Sequence, residues 1–214
     1  MKVFEAFADV SESGERWCVE VPELRLRDCA KHIDSVEFTA QVMVDKHFRG
    51  KDIPGERLIK GIDYEVAVTM ARPYDRQGAD GAPTIVCDID GTLARMSGRG
   101  PHDYDKLGTD LLDDAVFELL DRFKGSYDIV LLTGRDEEHR EVTEKWLADN
   151  GVSYSELIMR PLGNRVSDCV VKYRAFDKHL RKRLIKLVLE DRNRCVLMWR
   201  KLGIVCWQVQ EGDF

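Results

Sequence analysis

Asp88 and Asp90 are separated by one residue. An apolar run, Val86-Cys87, leads into Asp88, and Gly91-Thr92-Leu93 follows Asp90. Phosphoryl transfer needs an in-line nucleophile, a cation to offset phosphate charge and a proton donor for the leaving oxygen. Asp88 offers the nucleophile and a metal ligand. Asp90 offers the proton for the leaving alkoxide, then the base that deprotonates water, while its backbone carbonyl can reach the same metal. Gly91 permits the sharp turn that brings the pair together. A bare Asp-x-Asp is often only a solvated turn. A buried strand before it and Gly-Thr-Leu after it move the reading to chemistry.

The run resembles the first motif, Asp-x-Asp-Gly-Thr, of the haloacid dehalogenase superfamily of magnesium-dependent phosphohydrolases. Three further stretches stand in the order this resemblance implies. In Leu131-Leu132-Thr133-Gly134-Arg135, the Thr133 hydroxyl and neighbouring backbone N–H groups are expected to hold a phosphate oxygen, with Gly134 and Arg135 facing the substrate. In Val170-Val171-Lys172, the Lys172 ammonium is expected to balance Asp88 and the phosphate. In Leu189-Glu190-Asp191-Arg192, paired acids suit a hard oxygen-ligand site for Mg2+. Asp191 is the expected ligand beside Asp88 and Asp90, with Arg192 near the substrate. Glu190 departs from the usual pair of aspartates and is expected to act through water or to support the site.

A narrower resemblance covers residues 84–214, which are similar to the phosphatase half of bacteriophage-type polynucleotide kinase–phosphatases. It rests on DIDGTLARMSGRGPHDYDK, on VVKYRAFDKH and on LEDRNRCVLMWRKLGIVCWQVQEGDF. It implies removal of 3′-phosphates from DNA or RNA ends at a site without a large cap. The short span from Asp88 to Thr133 also leaves little room for one. Arg99, in Ser97-Gly98-Arg99-Gly100-Pro101, is expected at the mouth of the site, where a guanidinium can grip phosphate through two hydrogen bonds. No Gly-x-x-x-x-Gly-Lys-Ser/Thr run is present, so kinase activity is not expected from these residues.

The elements that must position these groups read as a Rossmann-like α/β unit. Strands are predicted at 84–89, 128–132, 156–159, 186–189 and 204–209, and helices at 110–123, 137–150, 168–183 and 193–202. Short apolar strands separated by helices indicate a parallel sheet covered on both faces, with chemistry beyond the strands' carboxyl ends. Residues 73–83, rich in Gly, Pro and polar side chains, read as a linker. Before it, residues 1–72 read as a small βββαβ unit: strands at 2–10, 16–21 and 24–30, a turn through Gly14, a helix capped by Asp34, and a strand at 64–70. Val36, Ala40, Met43 and Val44 recur at helical spacing. This segment weakly resembles HicB-like antitoxin domains, which implies a binding or dimerising module and, for the chain, a homodimer or a protein partner.

Composition narrows the alternatives. A net charge of −6 argues against a whole-surface grip on nucleic acid. The six cysteines form no Cys-x-x-Cys pair, so a structural zinc site is not expected. No signal-peptide core and no apolar run of about 18 residues is present, and a soluble cytoplasmic protein is expected. Lys178, Arg181, Lys182, Arg183 and Lys186 read as a solvated helix face that would matter to nucleic acid only beside the cleft. Trp199 and Trp207 lie in apolar runs that favour core packing over base stacking. A phosphatase for small nucleotides or sugar phosphates, and a binding protein on a phosphatase scaffold, remain the competing functions.

Overall fold

The computed structural model describes residues 2–11, 15–49, 64–100 and 103–212. The expected turn at Gly14, the end of the loop at Pro101 and the terminal Asp213-Phe214 lie outside the described residues. Two compact units divide between Pro73 and Tyr74.

The first unit is a four-stranded sheet, order β3-β2-β1-β4, built from β1 (Lys2–Val10), β2 (Trp17–Val21), β3 (Leu26–Ala30) and β4 (Tyr64–Met70). Its period-2 pattern explains its core. Phe4, Ala6 and Ala8 of β1 and Trp17, Val19 and Val21 of β2 are buried, while Val3 and Glu5 face outward. Helix α1 (Val36–Arg49) lays Val36, Ala40, Met43 and Val44 against these strands. It lies between β3 and β4, and β4 then pairs parallel to β1. Asp34 stands two residues before α1 begins at Val36. It sits in a 3₁₀ turn, Ile33–Ser35, that leads into the helix.

The second unit is a five-stranded, all-parallel sheet, order β11-β10-β5-β8-β9. Its strands are β5 (Asp80–Cys87), β8 (Asp128–Asp136), β9 (Glu156–Arg160), β10 (Arg183–Arg192) and β11 (Cys206–Gly212). A two-stranded excursion, β6 (Ala94–Arg95) with β7 (Leu111–Leu112), follows β5. One sheet face carries Ile85, Cys87, Leu131 and Leu189, packed with Val116 and Leu120 of α2 (Asp114–Phe123) and Trp146 and Leu147 of α3 (Arg140–Asp149). Residues one step along, such as Val86 and Val188, face the other way. There α4 (Asp168–Ala175) and α5 (Asn193–Lys201) pack on β8, β10 and each other. From β5 the chain moves outward through β8 and β9, then returns to the other side for β10 and β11. The switch point therefore falls between β5 and β10, where the sheet opens a crevice at its carboxyl end.

Several boundaries differ from the sequence reading. The stretch read as a linker joins the second unit from Tyr74 onward: the Tyr74 hydroxyl donates to Arg183 O (2.7 Å) and accepts from Ile185 N–H (2.9 Å). Polar, Gly-rich composition hid the start of β5, because a strand at the sheet's amino end needs backbone pairing more than apolar side chains. Helix α2 begins at Asp114 rather than 110, because the Asp113 carboxylate caps it by accepting from Ala115 and Val116 N–H. The predicted helix 168–183 ends at Ala175, continues as a π turn over Phe176–Leu180, and gives way to β10 at Arg183. The basic cluster thus lies at the amino end of β10. Nine steps of strand, roughly 30 Å at about 3.3 Å each, separate Arg183 from Arg192 at the carboxyl end of β10. Trp199 is core, edge-on to Phe176 at 5.6 Å, but Trp207 is 55% exposed. No helix among the described residues is long and apolar enough to cross a membrane.

Candidate active site

The carboxyl ends of β5, β8 and β10 gather the expected residues. Asp88 is the first residue past β5, held by its N–H to Leu189 O (3.0 Å) on the neighbouring strand. Thr133, Gly134 and Arg135 lie at the end of β8, which runs on to Asp136. Glu190, Asp191 and Arg192 close β10, and Lys172 projects from α4. Asp88, Thr133, Arg135, Lys172, Glu190 and Asp191 are all buried.

Two charged clusters form around the two aspartates. In the first, Lys172 Nζ contacts Asp88 Oδ1 (2.8 Å), Glu190 Oε2 (2.8 Å) and Asp168 Oδ2 (3.2 Å). Burial pushes the Asp88 carboxyl up to about 8, outweighing the attraction of Lys172, and repulsion from Glu190 and Asp168 adds to it. Burial likewise raises Glu190 to about 7 and Asp191 to about 6. Asp168 goes the other way: burial opposes its ionisation, but Lys172, Arg192 and Arg160 hold it below the usual carboxylate range. For Lys172, burial is overcome by the three carboxylates, and the amine stays protonated well above its usual range.

The second cluster surrounds Asp90. Arg135 donates Nε to Asp90 Oδ2 (2.8 Å) and Nη2 to Oδ1 (2.9 Å), and Arg99 Nη2 donates to Oδ1 (2.6 Å). Asp110 binds the same two guanidiniums, accepting from Arg99 Nε (2.7 Å), Arg99 Nη2 (2.5 Å) and Arg135 Nη2 (3.1 Å). Burial disfavours the Asp90 anion, yet the hydrogen bonds and charges of Arg135 and Arg99 win and hold its pKa below the ordinary value. The expectation for Arg99 changes accordingly. It does not hang at the mouth of the site: its side chain is fully buried, and its donors are turned inward onto Asp90, Asp110 and Gly100 O. Arg135 is also turned inward, reaching Thr143 Oγ1 as well. A guanidinium beside two buried carboxylates is drawn to them before any ligand arrives.

The acids can hold a cation. Asp88, Glu190 and Asp191 each offer a carboxylate oxygen, all within 4.8 Å of one another. Asp191 Oδ2 is buried with no hydrogen-bond partner. A Cβ at Gly91, which has φ +87°, or at Gly212 would land on the Asp191 carboxylate, so glycine keeps this cradle open. Buried carboxylates at this spacing, one of them orphaned, fit a hard divalent cation such as magnesium. The Asp90 side chain is committed to arginine, which leaves its backbone carbonyl as the only group it could offer a metal. Glu190 spends both oxygens on Lys172 (3.0 and 2.8 Å), consistent with a supporting place.

Residues 82–214 match the family model described as the polynucleotide kinase PNKP phosphatase domain, which spans more than half of the chain. The chain belongs to this family. A putative bifunctional polynucleotide kinase/RNA ligase of Autographa californica nuclear polyhedrosis virus is 28% identical over 154 residues, covering 70% of this chain and 21% of that protein. Among solved structures, the Pnkp1/Rnl/Hen1 complex aligns at 30% identity with a TM-score of 0.61, over 80% of this chain and 61% of that one. The Pnkp1/Rnl/Hen1 RNA repair complex aligns at 30% identity and 0.62, over 85% and 57%. The chain therefore spans about a fifth of the viral relative and about three-fifths of the matched chains.

Within this polynucleotide kinase phosphatase domain, a haloacid dehalogenase-type phosphatase, two site residues were missed by sequence. Asp168 lies one helical turn before Lys172, and an acid and a lysine four apart at a helix start is a signal that could have found it. It also receives Arg192 Nη1 (3.4 Å) and Arg160 Nη2 (3.3 Å). Arg160 in turn donates Nε to Gly134 O (2.7 Å), tying the β8 end to the start of α4. Asp110 had no signal. It is one acid in a loop, and only folding brings it to Arg99 and Arg135.

Proposed function

We propose that the second unit is a magnesium-dependent polynucleotide 3′-phosphatase that works through an aspartyl-phosphate on Asp88. The observation that carries this reading is the opposite treatment of two neighbouring acids. Asp88 shares its pocket with Lys172 and the acidic cation cradle, while Asp90 is gripped by two arginines and kept apart. The raised Asp88 value belongs to carboxylates crowded without a counter-cation; a magnesium ion in the cradle would restore the anion that a nucleophile needs, while the Asp90 side chain, outside the cradle, is left to carry the proton.

In this mechanism an Asp88 carboxylate oxygen attacks phosphorus, and the bond from phosphorus to the 3′-oxygen breaks. Asp90 gives a proton to that oxygen as it leaves. Asp90 then takes a proton from water as the water oxygen attacks the phosphorus on Asp88, and the acyl phosphate bond breaks to return the Asp88 carboxylate and free phosphate. Asp90 is ionised before substrate arrives, so it must first take up this proton, from solvent or from the phosphate monoanion, once the incoming phosphate draws on Arg99 and Arg135 and raises its proton affinity. Magnesium held by Asp88, Asp191 and the Asp90 carbonyl would supply positive charge against the phosphate oxygens. Lys172 adds a fixed charge on the other side of Asp88, and Thr133 with the Gly134 and Arg135 N–H groups would cradle an oxygen. Arg192 adjoins the site through Asp168.

The family match and the viral and RNA-repair relatives support a polymer end over a small phosphate ester. A substrate panel tests the choice: 3′-phosphorylated DNA, 3′-phosphorylated RNA, 5′-phosphorylated DNA, mononucleotides and sugar phosphates, with magnesium and with chelator. Preference for both 3′-phosphorylated polymers over all others is expected. Preference for a sugar phosphate would move the assignment to small metabolites.

For the first unit, we infer a HicB-like binding or dimerisation module. Phe38 (72% exposed) on the outer side of α1 is a large apolar side chain in solvent and supports a partner contact there; Val3 (47% exposed) is on the opposite, uncovered face of the sheet. Sedimentation of the whole chain, with Phe38→Ser as the probe, tests the self-association half: a monomer at all concentrations removes it.

A further inference from the structure

Trp207 is exposed where a tryptophan of this unit would be expected to pack. The other three tryptophans, Trp17, Trp146 and Trp199, are at most 3% exposed, whereas Trp207 is 55% exposed. It lies on β11, the edge strand, and its flanking same-side neighbours are also open: Val205 is 50% and Val209 37% exposed. The result is a short apolar ridge with an indole at its centre.

The register places this ridge beside the chemistry. Cys87 pairs with Leu189, and Leu189 pairs with Trp207, so the three lie in one row across β5, β10 and β11. Two interstrand spacings of about 4.8 Å put the Trp207 Cα roughly 10 Å from the residue that precedes the nucleophile. The strand is also tied to the site. Gln208 Nε2 donates to Asp191 O (2.8 Å), Gln210 Nε2 donates to Gly91 O, and Gly212 packs against Asp191. The indole is thereby held at a set distance from Asp88.

We propose that Trp207 is a stacking platform for a nucleobase one to three nucleotides back from the phosphorylated 3′ end. The proposal rests on the polynucleotide reading above and adds to it how the polymer is gripped. A stacked strand rises about 3.4 Å along its axis per nucleotide, which makes 10 Å a matter of a few nucleotides. The chain carries a net charge of −6, and its basic cluster sits at the far end of β10, so a grip on phosphates alone is poorly provided for. Stacking needs no charge, tolerates any base, and uses what this edge offers.

The test measures kcat and KM for the wild type, Trp207→Ala and Trp207→Phe on 3′-phosphorylated oligonucleotides of one to six nucleotides and on an aryl phosphate. In the wild type, KM is expected to drop once the oligonucleotide is long enough to reach the indole. Trp207→Ala should remove that drop, raising KM about 5- to 150-fold on the longer substrates, the range for one lost base–aromatic stack. It should leave kcat and the aryl phosphate untouched, and Trp207→Phe should keep most of the drop. An abasic site at the stacked position should weaken the wild type but not Trp207→Ala. If the wild type prefers oligonucleotides and Trp207→Ala keeps the same length dependence, stacking is overturned while the polynucleotide reading stands. If the wild type hydrolyses no 3′-phosphorylated oligonucleotide, that reading falls and this one with it. A change of solution mass in Trp207→Ala with unaltered KM would make the ridge a protein interface instead.

Discussion

The two halves of the site solve opposite electrostatic problems within three residues of chain. Around Asp88, three carboxylates, those of Asp88, Asp168 and Glu190, share the Lys172 ammonium in a buried pocket, and the guanidiniums of Arg160 and Arg192 reach Asp168. Around Asp90, two guanidiniums face two carboxylates, and Asp90 is held ionised. The first half is short of positive charge and suits a cation and a phosphoryl group. The second is balanced and holds the Asp90 carboxylate in a set orientation. A pair of identical side chains two residues apart is thus held in two different electrostatic states because the tertiary surroundings differ.

The largest expected effect falls on the first half. Asp88→Asn should bring turnover to the detection limit on every substrate while the thermal transition persists, since an amide is a poor nucleophile; turnover near the wild-type rate would end the assignment. Asp90→Asn comes next, with a loss of about 10²- to 10⁴-fold in kcat. The loss should be smaller on an aryl phosphate, whose leaving group needs less protonation, and equal losses on both substrates would contradict proton donation. Arg99→Ala should then lower kcat less than Asp90→Asn does but in the same pattern, with a measurable loss on an aryl phosphate and a larger one on an oligonucleotide, because its guanidinium serves Asp90 rather than the polymer. Arg99→Lys should recover part, since a lysine cannot reproduce the fork that binds Asp90 and Asp110 together. An effect confined to the oligonucleotide would return Arg99 to the substrate.

Stability separates the halves differently. In chelator, Asp88, Glu190 and Asp191 have folded pKa values raised to about 8, 7 and 6, above the unfolded carboxylate value of about 4. The folded protein then binds more protons than the unfolded one, so stability falls as pH rises from 4 to 8. Saturating magnesium should flatten that slope, adding about 2.7 kcal/mol at a hundredfold excess over Kd, and Asp191→Ala should abolish most of the gain. Melting curves that show no pH slope and no magnesium shift would sink the cradle. The smallest effect is expected far from both halves: Tyr74→Phe removes a hydroxyl that bridges Arg183 O and Ile185 N–H, costing about 1 kcal/mol with kcat unchanged.

Much of this was legible in the residues alone. The strand–helix alternation, the central strand ending in Asp88 and the order of Thr133, Lys172 and Asp191 follow from apolar periodicity and from motifs whose members are close in sequence. Such patterns are local, and a strand or helix is recognised from its own side chains. Sequence also narrowed the chemistry, because only a few residue types can carry a phosphoryl group, a proton or a cation. Tertiary structure decided the rest. Arg99 looked free in its loop, and only folding brought Asp90 and Asp110 to it. Asp110 had no reason to be chosen until Arg99 and Arg135 converged on it. Trp207 stood in an apolar run like that of Trp199, but β11 proved to be the edge of the sheet, so one indole is sealed in the core and the other is left in solvent. Charge pairing across 25 or 45 residues and the position of a strand within its sheet depend on packing between distant segments, which local sequence does not encode.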